Sequence, residues 1–315
     1  MVENTPMVDT HRVKKIAVEP KSGRYRSLEA AVLAGGGTLA PPEEAEGLVW
    51  ADPAVPQELP RVLERGPNVT WVGLPFAGIE PYVQYLDNEH TWTCAKGVYA
   101  RPVAEHALML GLAGLRGLVR YSRVRHWDEP VGHNLIGGKV TIFGGGGITT
   151  ELVKLLGPFD CEITVVRRTD TSFPGAAKTL TLDARIEAVE GADLVVLALA
   201  LTPETTGMMS TSEFTSMAPH AWLVNVARGG HVDNEALLEA VRTNRIGGAA
   251  LDVTNPEPLP DDHPLWQEPR IVITPHVGNT PEMGVPLLAA HIEENARRFV
   301  EGRPLVGLVD VEVGY

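Results

Sequence analysis

The sequence predicts an α/β protein in which helices cover both faces of parallel, doubly wound sheets. Short apolar, β-branched runs alternate with helical patterns along the chain, which is typical of this architecture. The later runs are apolar without interruption, as expected for strands buried on both faces. A length of 315 residues allows about two domains. We therefore expect two α/β domains with a cleft between them.

The first hundred residues predict a small open sheet. KKIAVEP, GLVW and WVGLPF have the pattern of strands, and SLEAAVLAG and QELPRVLERG that of the helices between them. From Pro102 the segment PVAEHALMLGLAGLRGL predicts a long helix. The aromatic and basic arm that follows, YSRVRHWDEPVGHNL, is either an exposed loop or a clasp that reaches a second subunit, and Trp127 favours the clasp.

A second series of strands begins at residue 139. It comprises KVTIFGGG, CEITVVRR, ADLVVLALAL, AWLVNVARGG, IGGAALDVT and RIVITPH. The last helical pattern, EMGVPLLAAHIEENARRFVEG, is expected to return to the first unit. We therefore predict one domain from residues 1–101 together with 284–315, and a second domain from residues 102–283.

Composition excludes several classes of protein. The formal net charge of −13 and the pI near 5.2 disfavour binding to nucleic acid or to anionic membranes. No run of eighteen apolar residues occurs, and the polar start MVENTPMVDT lacks the apolar core of a secretory signal, so we expect a cytoplasmic protein. The two cysteines, Cys94 and Cys161, have no metal-type spacing, and we expect no metal site.

The stretch FGGGGITTELV joins a predicted strand to a predicted helix. Gly144 would make the tight turn, Gly146 would leave room for a pyrophosphate to approach the backbone, and Gly147 and Ile148 would begin a helix whose amino end attracts it. The third glycine of the G-x-G-x-x-G pattern is replaced by Thr149. A plain glycine turn is the alternative. The position of the stretch at the first strand-to-helix turn of a doubly wound unit favours a dinucleotide-binding Rossmann domain at 102–283.

The end of the next strand bears on the choice of cofactor. Where an acidic residue would hold the ribose hydroxyls of NAD, the sequence has Arg167 and Arg168. Two guanidinium groups suit a 2′-phosphate, which favours NADP slightly over NAD. The alternative is that both arginines project into solvent.

Ionisable residues follow three successive predicted strands. Arg228 follows AWLVNVA, Asp252 and Glu257 follow the next strand, and His276 follows RIVITP. A single histidine near a proline is often structural, and a single Arg-Gly pair is often a turn. Their recurrence at the same edge of a parallel sheet favours an active site.

These motifs resemble those of the D-isomer-specific 2-hydroxyacid dehydrogenases. The resemblance rests on PVAEH, LTPETTG, NVARGG, ALDV, PEPL and TPHVGNTP, in this order, and covers about the last two-thirds of the chain. GLPFAGIE is similar to the substrate-loop segment of that family. The family pattern departs at Thr149 and at the arginine pair, which leaves the identity of the cofactor open.

The resemblance implies a role for each candidate catalytic residue. His276 would protonate the substrate carbonyl oxygen as hydride arrives from the nicotinamide, and Glu257 would orient the ring and raise its pKa. Arg228 would bind the substrate carboxylate and carbonyl oxygen through its planar fork. Asp252 would orient the nicotinamide carboxamide, or alternatively cap a loop.

The resemblance also implies that the smaller domain, residues 1–101 with 284–315, is flavodoxin-like and binds the substrate, and that the protein has a second subunit. Backbone amides around Ala77 and Gly78, ahead of the helix-like EPYVQYL, would receive the other carboxylate oxygen, although a plain turn is equally consistent with the sequence. The family forms homodimers through its cofactor domains, which fits the arm around Trp127.

The implied activity is an NAD(P)-dependent interconversion of a small 2-oxo acid and its D-2-hydroxy acid, with glyoxylate- and hydroxypyruvate-like acids first. Glu257 argues against the formate-oxidising members, which lack a glutamate there. A short phosphoglycerate dehydrogenase remains an alternative. Because a fold does not fix a function, a non-catalytic dinucleotide-sensing protein remains another.

Overall fold

The computed structural model describes residues 14–312. Contacts between Cα atoms divide the chain into two compact units: Met1–Tyr99 with Pro281–Tyr315 (unit 1), and Ala100–Thr280 (unit 2). The polar start MVENTPMVDT lies outside the described residues. Within residues 14–312, no helix combines the length and the apolar character needed to cross a membrane.

The described part of unit 1 contains a parallel sheet of five strands in the order β2-β1-β3-β4-β5. The strands are β1 (Lys15–Glu19), β2 (Thr38–Leu39), β3 (Gly47–Trp50), β4 (Trp71–Gly73) and β5 (Thr91–Thr93). Every residue of β3 and β4 is buried, as expected for strands inside a covered sheet.

Unit 2, which is described throughout, contains a parallel sheet of seven strands in the order β12-β11-β10-β9-β6-β7-β8. The strands are β6 (Lys139–Phe143), β7 (Glu162–Val166), β8 (Lys178–Leu180), β9 (Leu194–Leu197), β10 (Trp222–Asn225), β11 (Gly248–Leu251) and β12 (Ile271–Ile273). The order reverses between β6 and β9. Ligands of doubly wound sheets bind outside the strand ends at such a reversal.

Helices flank both sheets. They are α1 (Tyr25–Ala34), α2 (Leu59–Arg65), α3 (Ala100–Leu115), α4 (Leu118–Tyr121), α5 (Gly147–Leu156), α6 (Arg185–Val189), α7 (Thr211–Ser216), α8 (Asn234–Arg242) and α9 (Pro281–Glu301). In unit 2 the buried side chains form two apolar clusters, one of them including α3 and α5 and the other α7 and α8. The two parallel sheets with covering helices confirm the predicted α/β class.

Three short edge strands, β2, β5 and β8, were not predicted from the sequence. β2, β5 and β8 have two or three residues each and contain threonine or lysine, so they lack the apolar run that marks the inner strands. Each lies at the edge of its sheet, where one side has no neighbouring strand and the apolar demand is smaller. The helix-like EPYVQYL forms a short 3₁₀ helix, Glu80–Tyr85, rather than an α-helix.

Candidate active site

Five neighbouring strands of unit 2 end in a single row. Their paired last residues are Phe143, Leu197, Asn225, Leu251 and Ile273. We call this row the carboxyl edge of unit 2. Because all the strands are parallel, every loop that carries a predicted site residue of unit 2 leaves from the carboxyl edge or from the end of β7 next to it.

The turn after β6 requires glycine at its first position. Gly144 has a φ of +114°, and a Cβ added there would lie 2.1 Å from the carbonyl oxygen of Ala198, which follows β9. At Gly146, which precedes α5, an added Cβ would meet no atom within 4 Å. The backbone is therefore open to a ligand at Gly146, in front of the first N–H groups of α5, which have no partner within the helix.

Thr149 fits the position where the dinucleotide pattern has its third glycine. The residue is fully buried, and its hydroxyl donates a hydrogen bond of 2.8 Å to the carbonyl oxygen of Gly144. The side chain thus closes the glycine turn onto the first turn of α5 instead of pushing the two apart. This turn is suited to hold the pyrophosphate of a dinucleotide.

The two arginines after β7 differ in their surroundings. The side chain of Arg167 is half-buried and runs beside the glycine turn, because a Cβ on Gly145 would lie 3.1 Å from its Cδ and 3.2 Å from its Nε. Its guanidinium lies 6.0 Å from the centre of the Phe173 ring. Arg168 is exposed. Arg167 therefore lies beside the open backbone, whereas the solvent alternative fits Arg168.

His276 and Glu257 form a direct pair. The Nδ1 atom of His276 lies 2.7 Å from Oε1 of Glu257, and both side chains are about half exposed (55% and 42%). The backbone of His276 has a φ of +52°, an uncommon conformation for a residue other than glycine and one that is found at functional sites. Its N–H donates to the carbonyl oxygen of Asp252 at 2.8 Å.

Asp252 holds the segment that carries His276. Its carboxylate is 3% exposed and accepts the Thr274 hydroxyl at 2.6 Å and the N–H groups of Val277 and Gly278 at 2.9 Å each. Burial alone would raise the pKa of Asp252, but hydrogen bonds from His106, Thr274 and these two amides outweigh it and lower the pKa to about 2. These contacts are those of the loop-capping alternative.

His106 and Thr274 extend this cluster, and sequence reasoning did not single them out as site residues. The Nε2 atom of His106 lies 3.3 Å from Oδ1 of Asp252 and 3.2 Å from the Thr274 hydroxyl. His106 was visible only as the last letter of the motif PVAEH, and its partners lie more than a hundred residues away along the chain. The motif PVAEH was therefore a sign that His106 matters, but it did not indicate which residues His106 contacts.

Arg228 is presented by a turn that packs against the Glu257 loop. Asn225, fully buried at the end of β10, donates to the carbonyl oxygen of Arg228 at 2.9 Å. A Cβ on Gly229 would lie 1.9 Å from the carbonyl carbon of Thr254, so the turn needs glycine where the 254–257 loop crosses it. The structure thus brings the backbone of Arg228 next to the loop that carries Glu257, while Glu257 and His276 touch directly.

Ala77 and Gly78 lie in unit 1, between β4 and the 3₁₀ helix Glu80–Tyr85. Both residues are half-buried, and the preceding Phe76 is anchored because its carbonyl oxygen accepts the N–H of Ala95 at 3.1 Å. A 3₁₀ helix of six residues adds little dipole to this loop, so any carboxylate binding here would depend on the individual N–H groups. Their role stays a prediction.

Comparison with known proteins identifies the family. Residues 107–278, more than half of the chain, match the family described as D-isomer specific 2-hydroxyacid dehydrogenase, NAD binding domain. An uncharacterized protein from the proB 3′ region of Corynebacterium melassecola is 36% identical over 79% of this chain and 84% of its own length. Glyoxylate/hydroxypyruvate reductase A of Serratia proteamaculans is 30% identical over 69% of each chain.

A solved structure agrees with these matches. The D-isomer specific 2-hydroxyacid dehydrogenase of Xanthobacter autotrophicus Py2, in complex with NADPH and MES, is 26% identical, covers 96% of this chain and 100% of its own, and has a TM-score of 0.81. The resemblance drawn from the motifs is confirmed. The chain belongs to the family of D-isomer-specific 2-hydroxyacid dehydrogenases.

Proposed function

We propose that this NAD(P)-dependent 2-hydroxyacid dehydrogenase reduces a small 2-oxo acid, glyoxylate or hydroxypyruvate first, to the D-2-hydroxy acid with NADPH. The observation that carries the reaction type is the 2.7 Å contact between Nδ1 of His276 and Glu257 at the carboxyl edge of unit 2. The name of the Serratia relative supports the choice of acids.

His276 would move the proton. With Nδ1 occupied by the carboxylate of Glu257, Nε2 is the ring atom that gives a proton to the substrate carbonyl oxygen and takes it back in the reverse direction. Glu257 fixes the orientation of the ring. The exposure of both side chains leaves this atom accessible to a small molecule.

Arg228 would bind the acid. A planar guanidinium offers parallel N–H donors to a carboxylate, and the same donors stabilise negative charge that develops on the carbonyl oxygen. Asn225 and Gly229 hold the turn that presents it. In unit 1, the N–H groups of Ala77 and Gly78 would hold the second carboxylate oxygen.

The dinucleotide would be held at the glycine turn. A bound nicotinamide supplies the hydride. The open backbone at Gly146, followed by Gly147 and Ile148 in α5, suits its pyrophosphate. Arg167, assisted by Arg168, would bind a 2′-phosphate, which supports a preference for NADPH over NADH.

Further assignments accompany this function. We assign dinucleotide binding to unit 2 and substrate binding to unit 1, and we retain the expectation of a cytoplasmic homodimer. Trp127, fully exposed in the arm after α4, supports a contact with a second copy. Light scattering of the purified protein would measure the number of subunits.

A panel of 2-oxo acids tests the function. Purified protein is mixed with NADPH or NADH and with glyoxylate, hydroxypyruvate, pyruvate or 2-oxoglutarate, and oxidation of the nicotinamide is followed by absorbance. We expect the fastest turnover with glyoxylate and hydroxypyruvate. Tight cofactor binding with no turnover of any acid would favour the dinucleotide-sensing alternative. Selective oxidation of 3-phosphoglycerate, assayed separately with NADP⁺ or NAD⁺ as the hydride acceptor, would favour a short phosphoglycerate dehydrogenase.

A further inference from the structure

A buried histidine outside the catalytic pair lies close to the turn of Arg228. His231 is fully buried at the end of the 3₁₀ turn Gly229–His231. Its Nδ1 atom lies 3.0 Å from the carbonyl oxygen of Thr205, and its Nε2 atom lies 3.3 Å from that of Leu199. One imidazole thus spans both ends of the 199–205 segment, LALTPET, which leaves the carboxyl edge after β9.

The 199–205 segment also borders the glycine turn. The atoms that exclude a Cβ at Gly144 belong to the start of this segment: the carbonyl oxygen of Ala198 at 2.1 Å and Cα of Leu199 at 3.2 Å. Any displacement of Leu199 therefore changes the wall against which Gly144 packs. Because Gly144 begins the turn that we assign to the pyrophosphate, the segment is placed to affect cofactor binding.

The chain that follows the 199–205 segment is hydrogen-bonded to the turn of Arg228. The N–H of Gly207 donates to the carbonyl oxygen of Gly230 at 2.8 Å, and the N–H of Met209 donates to that of His231 at 3.0 Å. These two backbone bonds fix the strand of chain after Thr205. The imidazole of His231 adds a side-chain attachment at Thr205, whose hydroxyl in turn accepts the N–H of Thr202 within the segment at 2.8 Å.

The surroundings of His231 favour the neutral form of its imidazole ring. Burial lowers its pKa and the positive charge of Arg228 acts in the same direction, against the raising effect of the two carbonyl oxygens. A neutral imidazole has a single N–H to donate, and the shorter contact assigns it to Thr205. Nε2 then carries a lone pair and only packs against the carbonyl oxygen of Leu199. An apolar residue could not donate to the carbonyl oxygen of Thr205, so this buried donor indicates a positioning task.

We propose that His231 is a positioning residue, which by donating to Thr205 holds the 199–205 segment and so sets the glycine turn at Gly144 relative to the turn of Arg228. The inference rests on the proposed function, since it supposes that one turn binds the dinucleotide and the other binds the substrate. His231 itself touches no reacting atom.

Two substitutions and one control test the proposal in the full-length protein. His231→Leu removes both ring nitrogens, and His231→Gln keeps one amide donor. His220→Gln is the control, because His220 lies before the other end of β10 and its Nε2 is bonded to Asp193 at 2.6 Å. For each protein we would measure thermal unfolding, the Kd of NADPH by fluorescence, and KM and kcat for the best 2-oxo acid of the panel.

We expect His231→Leu to raise both the Kd of NADPH and the KM of the 2-oxo acid by about tenfold or more, with a smaller loss in kcat, since a buried carbonyl loses its donor. His231→Gln should lie between this variant and the wild type, and His220→Gln should match the wild type. A folded His231→Leu protein with an unchanged Kd and KM, and only a lower unfolding temperature, would show that His231 merely supports the fold.

Should His231→Leu fail to fold, His231→Gln decides the question. A rise of about threefold or more in the Kd of NADPH supports the proposal, because the glutamine side chain carries its amide to the level of Nε2 and does not restore the Nδ1 donor to Thr205. Unchanged constants in the Gln variant overturn it. Absence of turnover by the wild-type protein would defeat the proposed function alone, since the series of Kd values still measures the effect of His231 on cofactor binding.

Discussion

Oδ2 of Asp252 accepts the backbone N–H of Gly278 at 2.9 Å and thereby fixes the chain on the far side of His276. The same carboxylate binds Thr274 and Val277, so the residues on both sides of the histidine are held by one buried charge. This arrangement explains how an exposed imidazole can keep a defined backbone position while its side chain stays accessible.

Replacing Asp252 tests this role through pH. Because the folded-state pKa of about 2 lies below the ordinary 3.8, the ionised carboxylate stabilises the fold above pH 4, and this stabilisation is lost as the pH falls towards 2. We expect Asp252→Asn to lower the free energy of unfolding by about 2 kcal/mol at pH 7 and by progressively less as the pH falls from 4 to 2. Urea unfolding across this range measures the difference. Asp261→Asn, at an exposed acid, is the control, and a loss that does not vary with pH would contradict the account.

Removing the proton donor should reduce the rate and spare the cofactor. We expect His276→Gln to lower kcat/KM by about a hundredfold or more, the usual contribution of a general acid. Glu257→Gln should have a smaller effect, since glutamine can still accept a hydrogen bond from Nδ1. The exposed His126 provides the control His126→Gln. If His276→Gln bound NADPH as the wild type does and reduced the 2-oxo acid at a near-normal rate, His276 would not be the proton donor.

The arginines after β7 can be tested by comparing the two cofactors. Replacing Arg167 and Arg168 by glutamine removes the charged donor beside the glycine turn and the exposed one that follows it. We expect the Kd of NADPH to rise by about tenfold or more, and that of NADH to change by less than about twofold. Arg167→Gln alone should account for most of the effect because Arg168 is exposed. Equal weakening of both cofactors would mean that neither arginine binds the 2′-phosphate.

Two glycines of the same turn should respond differently to a methyl group. A Cβ at Gly144 would meet the carbonyl oxygen of Ala198 at 2.1 Å and would also require a residue other than glycine at positive φ, so Gly144→Ala should destabilise the fold by about 1–3 kcal/mol. A Cβ at Gly146 meets nothing within the chain. Gly146→Ala should therefore keep the wild-type unfolding temperature and weaken cofactor binding. If Gly146→Ala bound NADPH normally, the pyrophosphate would have to lie elsewhere.

The inner strands, the apolar edge strand β12 and the residues at their ends could be predicted because each of these apolar runs is long enough to recognise. Arg228, Glu257 and His276 each follow such a run, and the parallel sheet aligns the ends. The pairing of His276 with Glu257 needed the loop conformations, in which His276 adopts a positive φ that nothing in the letters TPHVG specifies.

The surroundings of Asp252 and His231 could not be predicted, because burial is set by distant parts of the chain. His106 comes to Thr274 across 168 residues, and His231 comes to Leu199 across 32. A histidine in the polar stretch RGGHVDN gives no local sign that it is fully buried. Thr149 departs from the glycine pattern, and only its hydrogen bond to Gly144 shows why the turn accepts it.

Because the last residues of five strands, from Phe143 to Ile273, are aligned, the register of the buried strands determines where the loops with the site residues begin. A slip of β12 by two residues against β11 would leave every side chain on its own face, yet would carry the following loop about 7 Å along the sheet. Such a shift would separate His276 from Glu257 altogether. The strand register, which is fixed by packing in the buried sheet, therefore also fixes the distance between the side chains at the carboxyl edge.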